Sequence, residues 1–148
     1  MKYFAYGSNI SEKRMINERK IDFENRTFAY LENYKLVFNK VSQKNNNLGF
    51  ANIVESEGSI VEGALYELNV KFIEKIDRYE GYPKHYYRKT IEVICNDEKV
   101  KAITYMANPN MIKENIKPNK HYLNYILEGK DILTEKYYNN LRSTETFD

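Results

Sequence analysis

Aromatic and aliphatic residues crowd the start of the chain, Tyr3-Phe4-Ala5-Tyr6, and the run stops at Gly7-Ser8-Asn9. A short apolar run ending at Gly predicts a first strand over residues 2–6. Residues 8–11 then offer a helix start; Ser11 is a good N-cap, but Arg14 at the third helical position leaves the reciprocal capping box incomplete. Ile10, Met15 and Ile16 would supply the buried side of that short helix. Partial alternation of Phe28, Tyr30, Tyr34, Leu36 and Phe38 predicts one long strand or two broken ones over residues 26–41. A polar loop follows at residues 43–49, expected to be the most flexible segment. Residues 51–54 form a short strand, Glu57-Gly58-Ser59 a turn, and residues 60–68 another strand in which Gly63 marks a bulge or a close backbone approach.

Asn69 caps a helix through residues 71–79, with Phe72, Ile73 and Ile76 on one face, and Gly81 and Pro83 end it. Residues 86–95 and 100–106 pair as a hairpin around Asn96-Asp97-Glu98. From Asn119 the spacing of Tyr122, Leu123, Tyr125 and Ile126 is helical, with Gly129 as a stop. Residues 133–141 form a second short helix, and residues 143–148 a frayed tail. Strands outnumber helices and do not alternate with them, so the class is α+β, on a curved mixed or antiparallel sheet.

At 148 residues the chain fits one domain, residues 1–148. That length buries roughly 70% of the unfolded chain's surface without staples. Fourteen Tyr with no Trp point to pockets lined by amphipathic rings as well as plain core. A formal net charge of +2 gives no reason to expect nucleic acid or an anionic membrane as partner. Lys71, Lys75, Lys84 and Lys89 are scattered and form no targeting run. Cys95 stands alone, which excludes a disulfide framework, and His85 and His121 lack metal-ligand spacing. No metal is therefore expected. No apolar run approaches the length of a membrane span, so the expected compartment is the cytoplasm.

Candidate chemistry concentrates in two places. A strand that stops at Tyr6-Gly7-Ser8-Asn9 before a helix start exposes successive backbone N–H groups at a positive dipole end. Such a loop binds a carboxylate or an oxyanion without a charged side chain. Gly7 permits close approach or positive φ, and Ser8 and Asn9 add side-chain hydrogen bonds. The plain alternative is an ordinary strand-to-helix turn. The second place is Asp77-Arg78-Tyr79-Glu80-Gly81-Tyr82. A carboxylate at a helix C-terminus among aromatic rings is pushed toward the pKa of a general base. The alternative is a solvated Glu80 paired with Arg78 or Lys84. Tyr66, Tyr79, Tyr82, Tyr86, Tyr87, Tyr105, Tyr122 and Tyr125 could orient a carboxylate, though most such rings are packing. Adjacent Tyr86 and Tyr87 face opposite sides of a strand, so at most one meets any given pocket. Walker A, Rossmann and His-Glu-x-x-His motifs are missing, Ser8 has no evident His/Asp partners, and Cys95 suits an inert core thiol.

The segment Tyr3-Phe4-Ala5-Tyr6-Gly7-Ser8-Asn9 resembles the N-terminal signature of the γ-glutamylcyclotransferase family. Ile60-Val61-Glu62-Gly63-Ala64-Leu65-Tyr66, Ile76-Asp77-Arg78-Tyr79-Glu80-Gly81 and Tyr86-Tyr87-Arg88 agree with it in order and spacing. The resemblance implies a small mixed β-barrel with flanking helices. It implies an enzyme that needs no cofactor and turns a small γ-glutamyl substrate into 5-oxoproline. Glu80 would be the acid/base, Tyr6, Gly7, Ser8 and Asn9 would hold the glutamyl moiety, and Tyr87 and Tyr105 would line the pocket. Tyr-Gly-Ser-Asn is similar to the loop of enzymes acting on γ-glutamyl amino acids. It departs from the Tyr-Gly-Ser-Leu of the glutathione-specific branch and the Tyr-Gly-Thr-Leu of the γ-glutamylamine branch. The competing expectation is a non-catalytic module of the same fold that binds γ-glutamyl or other small carboxylates.

Overall fold

In the computed structural model, which describes residues 1–148, the alternating segments run on further than their pattern predicts. The strands are β1 (Lys2–Ala5), β2 (Asn25–Val41), β3 (Gly49–Glu67), β4 (Tyr86–Cys95) and β5 (Glu98–Ala107). They close into a barrel in the order β1-β3-β2-β4-β5. Most pairs are antiparallel, but β1 runs parallel to β5 at Tyr3↔Ile103, so the barrel is mixed. Helices α1 (Ile73–Glu80), α2 (Lys120–Leu127) and α3 (Glu135–Arg142) flank it, giving the α+β architecture expected from the sequence. No helix is long and apolar enough to cross a membrane.

The predicted turn at residues 57–59 is a bulge inside β3. The ladder passes from Glu32↔Ile60 to Tyr34↔Glu55, so residues 56–59 stand opposite Asn33 alone. Gly58 at φ +82° and Asn33 at φ +64° take up the excess chain, and the Gly58 N–H donates to Asn33 Oδ1 at 3.0 Å. Turn chemistry bends the ribbon here without reversing it. The tighter turn between β4 and β5 is a true reversal over Asn96 and Asp97, both at positive φ, as two-residue hairpin loops require.

Alternate residues along β1 and into Tyr6, which follows it, serve different cores. Phe4 and Tyr6 join Leu31, Ile53, Val61 and Val93 in one cluster. Tyr3 and Ala5 join Met15, Tyr66, Ile76 and Tyr105 in the other. Full burial of such side chains stabilises the fold by about 1.5–3 kcal/mol each. Helix α1 docks on the second cluster through Ile76. It is preceded by Asn69, whose Oδ1 accepts from Lys71 N–H at 2.9 Å, and stopped by Gly81 in the left-handed region.

Three further expectations are overturned. Residues 14–18 form a π-helical turn that leaves Ile16 exposed while Met15 is buried. Gly129 does not stop α2 by a left-handed cap; the chain continues as a 3₁₀ turn over Glu128–Asp131. Glycine is required there because a Cβ would lie 2.2 Å from Ile10 Cγ2. The tail is tied down: Phe147 N–H donates to the Pro118 carbonyl at 2.8 Å, and the Asp148 carboxylate accepts from Lys120 N–H at 2.9 Å.

At Gly63 an added Cβ would meet the Ala5 carbonyl oxygen at 2.3 Å and the Phe4 ring at 3.0 Å. Gly63→Ala must therefore push β1 away from β3. Urea unfolding should find it less stable by about 1–3 kcal/mol, the usual scale of overpacking. A variant as stable as the wild type would show that β1 does not lie this close.

Candidate active site

Where β1 runs out, its backbone, the end of α1 and the start of α2 enclose a cavity of about 280 Å³. Tyr6, Gly7, Ser8, Asn9, Glu80 and Tyr105, drawn from distant parts of the sequence, all line it. Tyr87 does not. Strand alternation turns Tyr87 toward its ladder partner Met106, whose Sδ its hydroxyl approaches at 3.9 Å, and it is Tyr86 that lines the cavity.

The loop is a 3₁₀ turn over Ser8–Ile10, closed by Ile10 N–H to the Gly7 carbonyl at 3.0 Å and Ser11 N–H to the Ser8 carbonyl at 3.2 Å. Gly7 sits at φ −105°, so positive φ is not what selects glycine. Space does: a Cβ would come within 3.2 Å of Ala51 Cβ and 3.3 Å of the Tyr122 hydroxyl. Asn9 uses both ends of its amide. Nδ2 donates to the Tyr3 hydroxyl at 3.1 Å and, over a longer 3.4 Å, to Glu80 Oε1, while Oδ1 accepts from Arg19 Nε at 3.3 Å. Its backbone carbonyl accepts from the Tyr66 hydroxyl at 2.7 Å. A residue with one donor end and one acceptor end is required to bridge a carboxylate and a guanidinium.

Glu80 is the last residue of α1, half-buried as a residue but with its carboxyl enclosed by protein. It forms no ion pair with Arg78 or Lys84. Desolvation pushes its pKa up to about 7, against the opposing pull of Arg19, Arg14, the Tyr3 hydroxyl and Lys40. Of the rings nearest in sequence, Tyr82 does not line the cavity, and Tyr79 lines it only at its open side, 43% exposed. Tyr3, Tyr6, Tyr86 and Tyr122 form the buried part of the wall, and burial raises each of their phenol pKa values, so they stay neutral near pH 7.

Most of these hydroxyls are already committed. Tyr6 donates to the Tyr105 carbonyl and Tyr86 to the Ala51 carbonyl at 2.8 Å, while the Tyr122 hydroxyl accepts from Ala51 N–H at 3.1 Å. The Tyr105 hydroxyl donates to Asp77 Oδ1, tying β5 to α1 one turn before Glu80. Sequence reasoning missed Arg14 and Arg19, both of which line the cavity. On an α-helix, residues five apart lie about 140° from each other. The π turn, closed by Arg19 N–H to the Arg14 carbonyl at 2.8 Å, stacks them on one side. No group of three or more His, Cys, Asp and Glu is placed to hold a metal ion.

A family model described as Gamma-glutamyl cyclotransferase, AIG2-like matches residues 3–128. The gamma-glutamylcyclotransferase of Bos taurus is 30% identical over 151 residues, covering 99% of this chain and 79% of the relative. That of Homo sapiens is 29% identical with the same coverage. A solved structure named gamma-glutamyl cyclotransferase superposes with a TM-score of 0.85 at 26% identity, covering 99% of this chain and 89% of its own. YkqA from Bacillus subtilis reaches the same TM-score at 21% identity over 55% of its length, a likeness of fold.

A carboxyl raised to about 7 has a signature in stability. The folded state holds the proton more tightly than the unfolded state, whose glutamate titrates near ~4.3. Its cost is absent below that lower value, grows as pH rises from there through about 7, and is constant above it. Relative to wild type, Glu80→Gln should therefore gain stability between pH 5 and pH 8, by at most about 3 kcal/mol. Urea unfolding at the two pH values measures it, and a difference independent of pH would exclude a desolvated carboxyl.

Proposed function

The chain belongs to the gamma-glutamyl cyclotransferase, AIG2-like family and is an enzyme of that type, and on this premise we propose that Glu80 catalyses ring closure of a γ-glutamyl amino acid or amine to 5-oxoproline. One observation carries the proposal: an enclosed carboxyl with a pKa of about 7, held by Asn9 beside the Tyr6-Gly7-Ser8-Asn9 loop. A general base works best when its pKa lies near the working pH.

In this mechanism the first amides of the turn, those of Ser8 and Asn9, have no partner within it and receive the α-carboxylate of the glutamyl group. The substrate is thereby folded so that its α-nitrogen faces its own γ-carbonyl carbon, and proximity removes much of the entropic barrier. Ionised Glu80 takes a proton from the α-ammonium, and the freed lone pair forms the C–N bond of a five-membered ring. The protonated carboxyl then gives its proton to the leaving nitrogen as the old C–N bond breaks. Two protons leave the α-nitrogen and two reach the amine, so the sum is proton-neutral. One carboxyl can carry both because the two nitrogens share one carbon. Tyr3 and Asn9 hold Glu80 between the transfers.

Glu80→Gln should remain folded and lose at least ~10²-fold in 5-oxoproline formation, followed by mass spectrometry with γ-glutamylalanine. The wild-type kcat/KM should rise with pH through about 7, since the free enzyme must be ionised, and the variant should lack this limb. Turnover at the wild-type rate in Glu80→Gln would sink the mechanism. The loop is tested separately. Gly7→Val fills the space against Ala51 and Tyr122 and should abolish measurable binding, whereas Ser8→Ala should cost only about 1 kcal/mol.

A further inference from the structure

The charges around the cavity do not cancel. Its lining carries one carboxyl, Glu80, and two guanidinium groups, Arg14 and Arg19. Glu80 can neutralise only one of them. Arg19 is engaged: its Nε donates to Asn9 at 3.3 Å and its guanidinium lies 4.2 Å from the Tyr79 ring centroid. Arg14 is the cation that no acid of the lining pairs with. It meets one carboxylate, Glu18, at a long 3.5 Å, its guanidinium lies 3.9 Å from the Tyr125 ring centroid, and its Nε is buried without a partner. A guanidinium kept from water and left short of acceptors is costly unless an anion completes it, and its planar fork suits a carboxylate.

Resting on the cyclotransferase reading, we infer that Arg14 determines specificity by receiving the carboxylate of the leaving group, which selects γ-glutamyl amino acids over γ-glutamyl amines. The inventory of charges supports this. A γ-glutamyl amino acid brings one ammonium and two carboxylates. The ammonium goes to Glu80 and the glutamyl carboxylate to the loop, so the remaining anion is the carboxylate of the departing amino acid. A γ-glutamyl amine has no such group. The π turn explains why the donor stands where it does: it brings Arg14 over Arg19, with Arg19 fixing Asn9 and Glu80 at the reacting end while Arg14 remains available beside them.

γ-Glutamylalanine and γ-glutamylethylamine differ only in that carboxylate, so their kcat/KM ratio reads the interaction directly. Wild type should prefer γ-glutamylalanine by on the order of tenfold to hundredfold, the range of a charge-assisted hydrogen bond. In Arg14→Met the preference should collapse toward unity, and in Arg14→Lys, which keeps a point charge without the fork, part of it should return. Both substrates sample the same folded fraction and the same Glu80 ionisation, so misfolding or a shifted pH profile cancels from the ratio. A parallel fall on both substrates in Arg14→Met would overturn the inference, as would a wild type that does not discriminate. Should wild type form no 5-oxoproline from either substrate, the cyclotransferase reading fails first and the inference falls with it. That outcome is distinct, since it leaves no rates to compare.

Discussion

Everything near the cavity depends on the burial of β1 on both faces. This strand spans only Lys2–Ala5, yet it pairs with β3 on one side and β5 on the other and so closes the barrel. Its alternation feeds two separate cores, Phe4 into one and Tyr3 into the other. The strand has no freedom to slide, because a shift of one residue would exchange those side chains between cores. Gly63 admits the Ala5 carbonyl at a distance no other residue would tolerate, which fixes where the strand ends. The loop that follows inherits that position, and Tyr3 itself reaches back to the Asn9 amide. Barrel closure and placement of the Gly7-Ser8-Asn9 loop are one constraint.

The electrostatics around Glu80 are a balance, not a salt bridge. A guanidinium in direct contact would hold the carboxyl ionised well into the acidic range. Asn9 stands between Arg19 and Glu80, with Oδ1 toward one and Nδ2 toward the other. The arginines therefore act at a distance, lowering the pKa partway while desolvation keeps it near 7. Replacing the amide by an aliphatic group would break the bridge, and replacing it by a carboxylate would place a second acid beside Glu80.

Features of this fold that reside in short-range chemistry were legible in the sequence. Asn69 and Gly81 bracket α1, Asn96-Asp97 turns the β4–β5 hairpin, and Gly63 marks a close approach, each for a reason contained in a few neighbouring residues. The misreadings depend on partners far along the chain. Gly58 carries the chemistry of a turn, but pairing with β2 on both sides turns it into a bulge. Gly129 has the position of a helix stop, but Ile10 across the fold is what excludes a side chain there. The choice between Tyr86 and Tyr87 is a parity set by the whole ladder, and the family resemblance pointed to Tyr87 where the lining contains Tyr86. The arginines escaped because a 3.6-residue period is the wrong ruler for a π turn. Loop and carboxylate were visible as motifs; the cations that tune them were not.

The tyrosine-rich composition takes on a structural meaning once the hydroxyls are traced. Of the cavity's rings, Tyr6 and Tyr86 donate to backbone carbonyls, and Tyr122 accepts from a backbone amide. A cavity wall built of bare aromatic rings would leave those buried backbone groups unpaired, at about 1–3 kcal/mol each. A wall built of small polar residues would admit water and lower the pKa of Glu80. Tyrosine meets both demands, since its ring excludes water while its hydroxyl satisfies the wall from within. The Tyr6 and Tyr86 protons are thereby committed to the wall. The Glu80 carboxyl, the Ser8 side chain and the Arg14 guanidinium also face the cavity, and none of them serves to pair the backbone of the wall. The groups that hold the wall are thus distinct from the charged groups that face the cavity, and the wall keeps its shape whatever the charge state of Glu80.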